Sequence, residues 1–387
     1  MIHLCLAFRD SNGQYSKHAA VLLQSIFMHT QSPICVHLLH DETLEETNKQ
    51  RLTEMVEDKG HRLIFYLVQL PDDFVAAVSH TGRIKEITLA AYYRIMLPHL
   101  ADVEKMIYLD CDILVTMDIK HLWNIELYDY YLAAAQDKGI ERFPEVLDRY
   151  GFKADNYFNS GVLLLSLDNI RRNEGWYERI LDFFIRFPNA AFDDQDALNY
   201  VFGSNYLKLD SEYNTLLGSL VYQNDETKYL NKIIHFTGYK KAWNTVFRGA
   251  ERYWDYLEMT PWKTELKKDL VKIGQEYADF ILLAREIMNE RPFVMFGTGA
   301  GCEKLFRVFN LNVVYYVDNN QQKWNTPYRG RMVYSPEHLI ADPNDEIIVG
   351  IASQYSYEIT KQLREMGCRH RVVDFRPFIS FPAEIIE

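Results

Sequence analysis

Short apolar runs alternate with longer amphipathic stretches from the first residues onward, and this rhythm confines the chain to an α/β fold. Residues 3–8 read as a strand, 15–28 as a helix and 34–39 as a second strand; 44–59 read as an amphipathic helix ending at Gly60, and 62–68 as a third strand. Strands separated by helices pair parallel through right-handed crossovers, so a parallel, doubly wound sheet is expected. Further strands fit at 105–109, 132–136, 162–167 and 232–236. From about Tyr253 the pattern turns helical and charged, with Pro261 breaking or starting a helix. At Phe293 the rhythm restarts, with strands at 293–296, 313–317, 332–334, 347–351 and 371–375. A chain of 387 residues exceeds one typical core. The expected organisation is a doubly wound mixed-sheet domain over 1–252, a helical connector over 253–290 and a smaller Rossmann-like α/β domain over 291–387.

Composition narrows the function classes. A formal net charge of −12 argues against a nucleic-acid binder. The five cysteines are odd in number and form no CxxC pair, so neither a disulfide framework nor a structural zinc site is expected, and reduced thiols fit a cytoplasmic protein. No apolar run approaches the roughly 20 residues of a membrane span. No basic stretch precedes the first strand, so no cleavable leader is expected.

The chemistry concentrates where apolar strands end in polar residues. Tyr108-Leu109-Asp110-Cys111-Asp112 closes the strand at 105–109, and side chains two apart on an extended chain share a face. Asp110 and Asp112 therefore reach one cation from the carboxyl edge of the sheet, where open α/β sheets bind ligands. His235 also ends an apolar strand. Two carboxylates suit Mg²⁺ or Mn²⁺, and an imidazole tilts the choice toward Mn²⁺. Taken singly, each residue has a plainer role: a solvated loop carboxylate, a core-edge histidine, a surface ion pair for Arg94, a turn at Asn159, a helix cap for Asp194 and Asp196. The inference rests on the set.

Six segments in order resemble the retaining glycosyltransferases of family 8, which have a GT-A fold: Tyr15 to Ser25; Thr88-Leu-Ala-Ala-Tyr-Tyr-Arg94; Tyr108 to Asp112 followed by Asp118-Ile-Lys-His-Leu-Trp123; Tyr157-Phe-Asn-Ser-Gly-Val162; Asp194-Gln-Asp-Ala-Leu-Asn199; and His235 to Trp243. The resemblance implies that Asp110, Asp112 and His235 ligate Mn²⁺ or Mg²⁺ bridging the diphosphate of a UDP-sugar. It implies further that Gly238 and Lys241 contact the phosphates, and that Arg94 helps bind the donor sugar and diphosphate. Asn159, Asp194 and Gln195 would face the transferred hexose. Gln195 would lie beneath the anomeric carbon, and because an amide is a poor nucleophile, front-face substitution is favoured over a covalent intermediate. Ala7, Asp10, Asn12, Tyr15 and Cys111 would line the nucleotide. The loop from Ala7 to Tyr15 is longer than the family's usual form, so Asp10 and Asn12 both qualify for the base contact. Ala242 stands where many members have proline.

The implied activity is hexose transfer, glucose or galactose, from a UDP-hexose to a glycan or lipid-linked glycan acceptor in the cytoplasm. Cations and indoles mix from Lys240 to Lys268, including Arg248; this pattern fits either peripheral contact with the inner face of a membrane or a solvated helix face with packed aromatics. Gly297-x-Gly299-x-Gly301-Cys302, with Asp318 after the next strand, resembles a dinucleotide fingerprint but has cysteine where its last glycine belongs. The second domain's expected role is donor or acceptor binding, regulation, or assembly into a homo-oligomer. A nucleotide-sugar-sensing scaffold with an inert first domain and a dehydrogenase built on the second are the competing readings.

Overall fold

The computed structural model describes residues 1–79, 89–188, 190–217, 226–238, 241–244, 250–275, 292–306, 311–353 and 355–375. The chain divides into two compact units, Met1–Leu266 and Lys267–Glu387.

In the first unit, β1 (Ile2–Phe8), β2 (Ile34–His40), β3 (Arg62–Leu67) and β4 (Lys105–Leu109) run parallel, as the strand-helix rhythm predicts. The helices Tyr15–His29 and Glu46–Glu57 make the crossovers. Strands β1 and β2 are buried along almost their whole length because both faces are covered. Ile2, Leu4, Leu6 and Phe8 pack with Ala19, Leu22, Leu23 and Ile26 of the first helix. Cys5, Ala7 and Leu39 face the opposite core, which Phe74, Tyr92, Phe183 and Phe184 fill. Each fully buried ring there contributes about 1.5–3 kcal/mol.

The remaining strands change direction. With β6 (Leu132–Ala135), β7 (Val162–Ser166) and β8 (Tyr206–Leu209), the order is β3-β2-β1-β4-β7-β6-β8 among the described residues. Strand β7 is antiparallel to both β4 and β6, so the sheet is mixed rather than uniformly parallel. Alternating hydrophobicity does not encode direction, and the helices between β6 and β7 leave room for a return on the same edge. The strand order reverses between β1 and β4, which opens a crevice beyond their carboxyl ends.

A small second sheet completes that edge. In it β5 (Ile113–Val115) pairs antiparallel with β10 (Ile233–His235), and β9 (Thr215–Leu216) pairs parallel with β10. His235 is in register with Ile113, and the Phe236 N–H donates to the Asp112 carbonyl at 2.9 Å. The helix Glu251–Glu258 buries Tyr253, Tyr256 and Leu257 in the first core, so this unit extends to Leu266. Residues 266–275 continue as helix, and the rest of the expected connector, 276–290, lies outside the described residues.

The second unit holds β11 (Phe293–Phe296), β12 (Val313–Val317), β13 (Pro327–Tyr328), β14 (Arg331–Tyr334), β15 (Ile348–Ile351) and β16 (Arg371–Asp374) in the order β13-β14-β12-β11-β15-β16. Pairing is parallel except for the β13–β14 hairpin. Gly301 permits close packing: a Cβ there would lie 1.7 Å from the Ala352 carbonyl oxygen.

Candidate functional site

The antiparallel course of β7 brings its first residues against the end of β4. Leu109 is in register with Val162, and the Asp110 N–H donates to the Gly161 carbonyl at 2.9 Å. Asp110 and Asp112 thus leave β4 beside the Asn159-Ser160-Gly161 turn, while β10 delivers His235 from the other side. The His235 Nε2 lies 3.2 Å from Asp112 Oδ1 and 3.8 Å from Asp110 Oδ2. The ligand atoms of all three residues fall within 4.8 Å of one another. The ring's other nitrogen, Nδ1, bonds the Asn214 side-chain oxygen at 3.1 Å, which turns Nε2 toward the carboxylates. Two carboxylates and an oriented imidazole fit a hard divalent ion such as Mn²⁺ or Mg²⁺.

Behind this trio runs a chain of side-chain amides. The Asn214 Nδ2 donates to Asn159 Oδ1 at 2.8 Å, and Asn159 Nδ2 donates to Asp137 Oδ2 at 3.1 Å. The Gln195 Nε2 donates to the same Asp137 oxygen at 3.1 Å and to Tyr157 Oη at 3.2 Å, while its Oε1 accepts from the Ser160 N–H at 3.0 Å. A carboxylate only accepts, so Asp137 orients both amides. Tyr157 donates in turn to the fully buried Asp196 at 2.6 Å. Asp193, at φ 42°, starts the helix Asp193–Phe202 in the left-handed region, which aims Asp194 and Gln195 into the site.

Arg94 is bound within the protein. Its Nη2 lies 2.9 Å from Asp110 Oδ1, its Nη1 donates to the Ser160 carbonyl at 2.6 Å, and its Nε donates to the Ala91 carbonyl at 3.1 Å. The guanidinium stands 4.6 Å above the Tyr108 ring, whose hydroxyl donates to Asp110 at 2.9 Å. Burial opposes the Arg94 charge, but Asp110 and Asp194 outweigh it and raise its pKa. Burial likewise works against ionised Asp112, but His235 and Lys241 hold its carboxyl well below the usual range. Lys241 bonds both Asp112 and the Phe236 carbonyl. Asp194 goes the other way: burial, opposed by Arg94 and reinforced by Asp110, pushes it up to about 6. The Arg94 Nε is 3.2 Å from Asp194 Oδ2, yet that buried oxygen accepts no hydrogen bond.

Two clefts meet at Asp112. One is lined by Ala7, Tyr15, Arg94, Asp110, Cys111, Asp112 and Lys241, with Trp243 beside them. The other, of about 710 Å³, is lined by Asp137, Arg142, Asn159, Gln195, His235 and Gly238. The expected residues therefore gather, with two exceptions. Asp10 is buried and accepts from the Tyr15 and Ser16 N–H groups, at 2.8 and 3.2 Å, and from Asn48 at 3.0 Å; it satisfies the start of the Tyr15–His29 helix. Asn12 is exposed and accepts from the Gln14 N–H at 3.2 Å. Thr88, Tyr239, Lys240 and Arg248 lie outside the described residues. In the second unit, Asp318 accepts from Thr298, Asn320 and Lys323, so the fingerprint carboxylate is occupied by its own turn. Sequence reasoning passed over Asp137 and Asn214. Asp137 was findable by the logic that found Asp110, an acid just beyond an apolar strand; Asn214 carries no local signal.

Comparison with known proteins bears on this geometry. The family model described as Glycosyl transferase family 8 matches residues 5–246, and one described as C2185-like, N-terminal matches 289–373. General stress protein A of Bacillus subtilis is 30% identical over 280 residues, 66% of this chain and 93% of that protein. The lipopolysaccharide 1,2-glucosyltransferase of Escherichia coli is 28% identical over 242 residues, 56% of this chain and 68% of that protein. The crystal structure of the galactosyltransferase LgtC with donor and acceptor sugar analogs superposes with a TM-score of 0.57 at 24% identity, covering 67% of this chain and 96% of that one.

Proposed function

The chain belongs to glycosyl transferase family 8 and its large mixed sheet has the GT-A fold, and from that premise we propose that it moves a hexose, glucose or galactose, from a UDP-sugar to a glycan or lipid-linked glycan acceptor with retention of configuration. The observation that carries the proposal is the pair of clefts sharing Asp112 at the Asp110–Asp112–His235 cluster. The nucleotide takes the first cleft, and the hexose and acceptor take the second.

Asp110, Asp112 and His235 hold a divalent ion, Mn²⁺ or Mg²⁺, which when bound neutralises charge on the departing diphosphate. Lys241, next to Asp112, adds a second positive charge at the same place. Arg94 positions Asp110, and Ala7, Cys111 and Tyr15 wall the nucleotide. Asn12, open to solvent, is left for the base, since Asp10 caps a helix. The Asp194 oxygen beside Arg94, which no hydrogen bond satisfies, accepts a sugar hydroxyl. Gln195, tied at both ends, presents its amide beneath the anomeric carbon. The bond from that carbon to the β-phosphate oxygen breaks as the acceptor oxygen adds from the same face, and the acceptor's proton passes to the leaving phosphate oxygen.

Among the described residues no helix is long and apolar enough to cross a membrane. We read the setting as cytoplasmic, where UDP-sugars are made, with peripheral contact at the inner face of the membrane for a lipid-linked acceptor. The second unit is read as an auxiliary Rossmann-like domain for regulation or homo-oligomer assembly. The test is a screen of UDP-sugars for Mn²⁺-dependent release of UDP. One UDP-hexose should be turned over, and Asp110→Asn with Asp112→Asn should abolish turnover. Full turnover in the double variant overturns the mechanism, and UDP binding without turnover of any sugar overturns the activity.

A further inference from the structure

At the opposite end of the sheet from the clefts, the first two strands bring together His3, Cys35 and His37. His3 is in register with Cys35. Cys35 and His37 are two apart on β2 and so project to the face that His3 shares. The His3 Nδ1 lies 2.9 Å from His37 Nε2, and the ligand atoms of all three residues fall within 4.8 Å of one another. Cys35 is a free, buried thiol. Its strand neighbours separate this cluster from the Asp110 trio by about 15 Å along β1.

We propose that His3, Cys35 and His37 form a second metal site, selective for a thiophilic cation of the zinc type. Two imidazoles now share one proton across 2.9 Å. A cation in that proton's place takes one lone pair from each ring, the displaced proton moving to the outer nitrogen of its own ring, and gains the sulfur as a third ligand as the Cys35 thiol gives its proton to water, with a water molecule as the fourth. His37 is already oriented for this: its Nδ1 lies 2.9 Å from Tyr66 Oη, which turns Nε2 toward His3, the arrangement by which metal-binding histidines are positioned. His3 is partly open at the sheet edge, which gives the ion a way in. The donor sets divide the ions: sulfur and nitrogen here, and mainly oxygen at Asp110 and Asp112 for Mn²⁺ or Mg²⁺. A cation here staples β1 to β2 at their amino ends. The absence of a CxxC spacing hid the site, because one ligand comes from the neighbouring strand.

The experiment uses the full chain, stripped of metal, on an Asp110→Asn and Asp112→Asn background that silences the oxygen site. Titration with Co²⁺ should bind one ion per chain and raise a near-ultraviolet thiolate-to-cobalt charge-transfer band, which Zn²⁺ displaces. Added Zn²⁺ should raise the melting temperature, since it binds only the folded chain. Cys35→Ser should remove the band, and His3→Gln, at a partly exposed position, should weaken Co²⁺ binding at least about tenfold. If Cys35→Ser does not fold, His3→Gln decides. No band on the starting background, a band that survives Cys35→Ser, or unchanged affinity in His3→Gln overturns the proposal.

Discussion

Gly161 is where one methyl group tests the whole site. A Cβ built there lies 2.2 Å from His235 Cε1, 2.8 Å from His235 Nδ1 and 2.9 Å from Asp110 Oδ2. Carbon atoms pack at about 3.5–4.0 Å, so the imidazole must retreat by more than about 1 Å. It has little freedom to do so: Nδ1 is tied to Asn214, and the His235 backbone is fixed between β5 and β9. The Gly161 backbone does not itself demand glycine, so the cost of Gly161→Ala is one of space. Overpacking of this kind costs about 1–3 kcal/mol of stability. A displacement of about 1 Å at a catalytic centre costs on the order of 100-fold in rate. Gly161→Ala should therefore stay folded, lose about 100-fold in kcat/KM for Mn²⁺-dependent UDP release, and need more Mn²⁺ for half-maximal rate. Thermal melts and a Mn²⁺ titration of the rate separate the two effects. Wild-type turnover with wild-type Mn²⁺ dependence would refute the placement of His235 against the Asn159-Ser160-Gly161 turn.

Two further outcomes follow from the same geometry. Asn214→Leu removes the partner that orients the His235 ring through Nδ1, and Mn²⁺ affinity should fall about 10–100-fold with less effect on kcat at saturating Mn²⁺; an unchanged Mn²⁺ dependence would break the link. Asp194, held at about 6 against about 3.9 in an unfolded chain, keeps its proton longer in the native state. Native stability should thus fall as pH rises from about 4 to about 6, by up to about 3 kcal/mol from this group. In Asp194→Asn that loss is absent, so the stability of the variant relative to wild type should climb across the window; parallel urea-melt curves at pH 4 and pH 7 would count against it.

Much of this was legible because strand ends are local. Asp110 and Asp112 follow an apolar run, His235 closes another, and period and polarity alone mark both. What was not legible depends on strand direction and on partners far along the chain. Nothing in Val162–Ser166 announces that β7 runs backwards, and it is that reversal which seats Gly161 against Asp110. Its motif gives Arg94 a place at the donor diphosphate but not its partners within the fold: it lines the cleft while its donors also serve the Ala91 and Ser160 carbonyls and Asp110, a contact made across 66 residues in the case of Ser160. Asp10 sat in the nucleotide loop by sequence, but helix starts compete for carboxylates, and the Tyr15–His29 helix claimed it. The His3–Cys35–His37 cluster needed the β1–β2 register to appear at all.

The reversal of β7 has one more consequence. Strands β6 and β7 are antiparallel neighbours, so the stretch from Gln136 to Gly161 leaves the sheet and returns to it on one edge, beside the larger cleft. A crossover must span a sheet and is held to a length; an excursion with both feet on adjacent strands is not. Closing a loop twice as long costs only about 0.6 kcal/mol more. The residues between Asp137 at one foot and Asn159 at the other can therefore be lengthened, shortened or exchanged between relatives while those two side chains and the β4 carboxylates stay where they are. Divergence in what the protein glycosylates has a place to accumulate that leaves the machinery of transfer untouched.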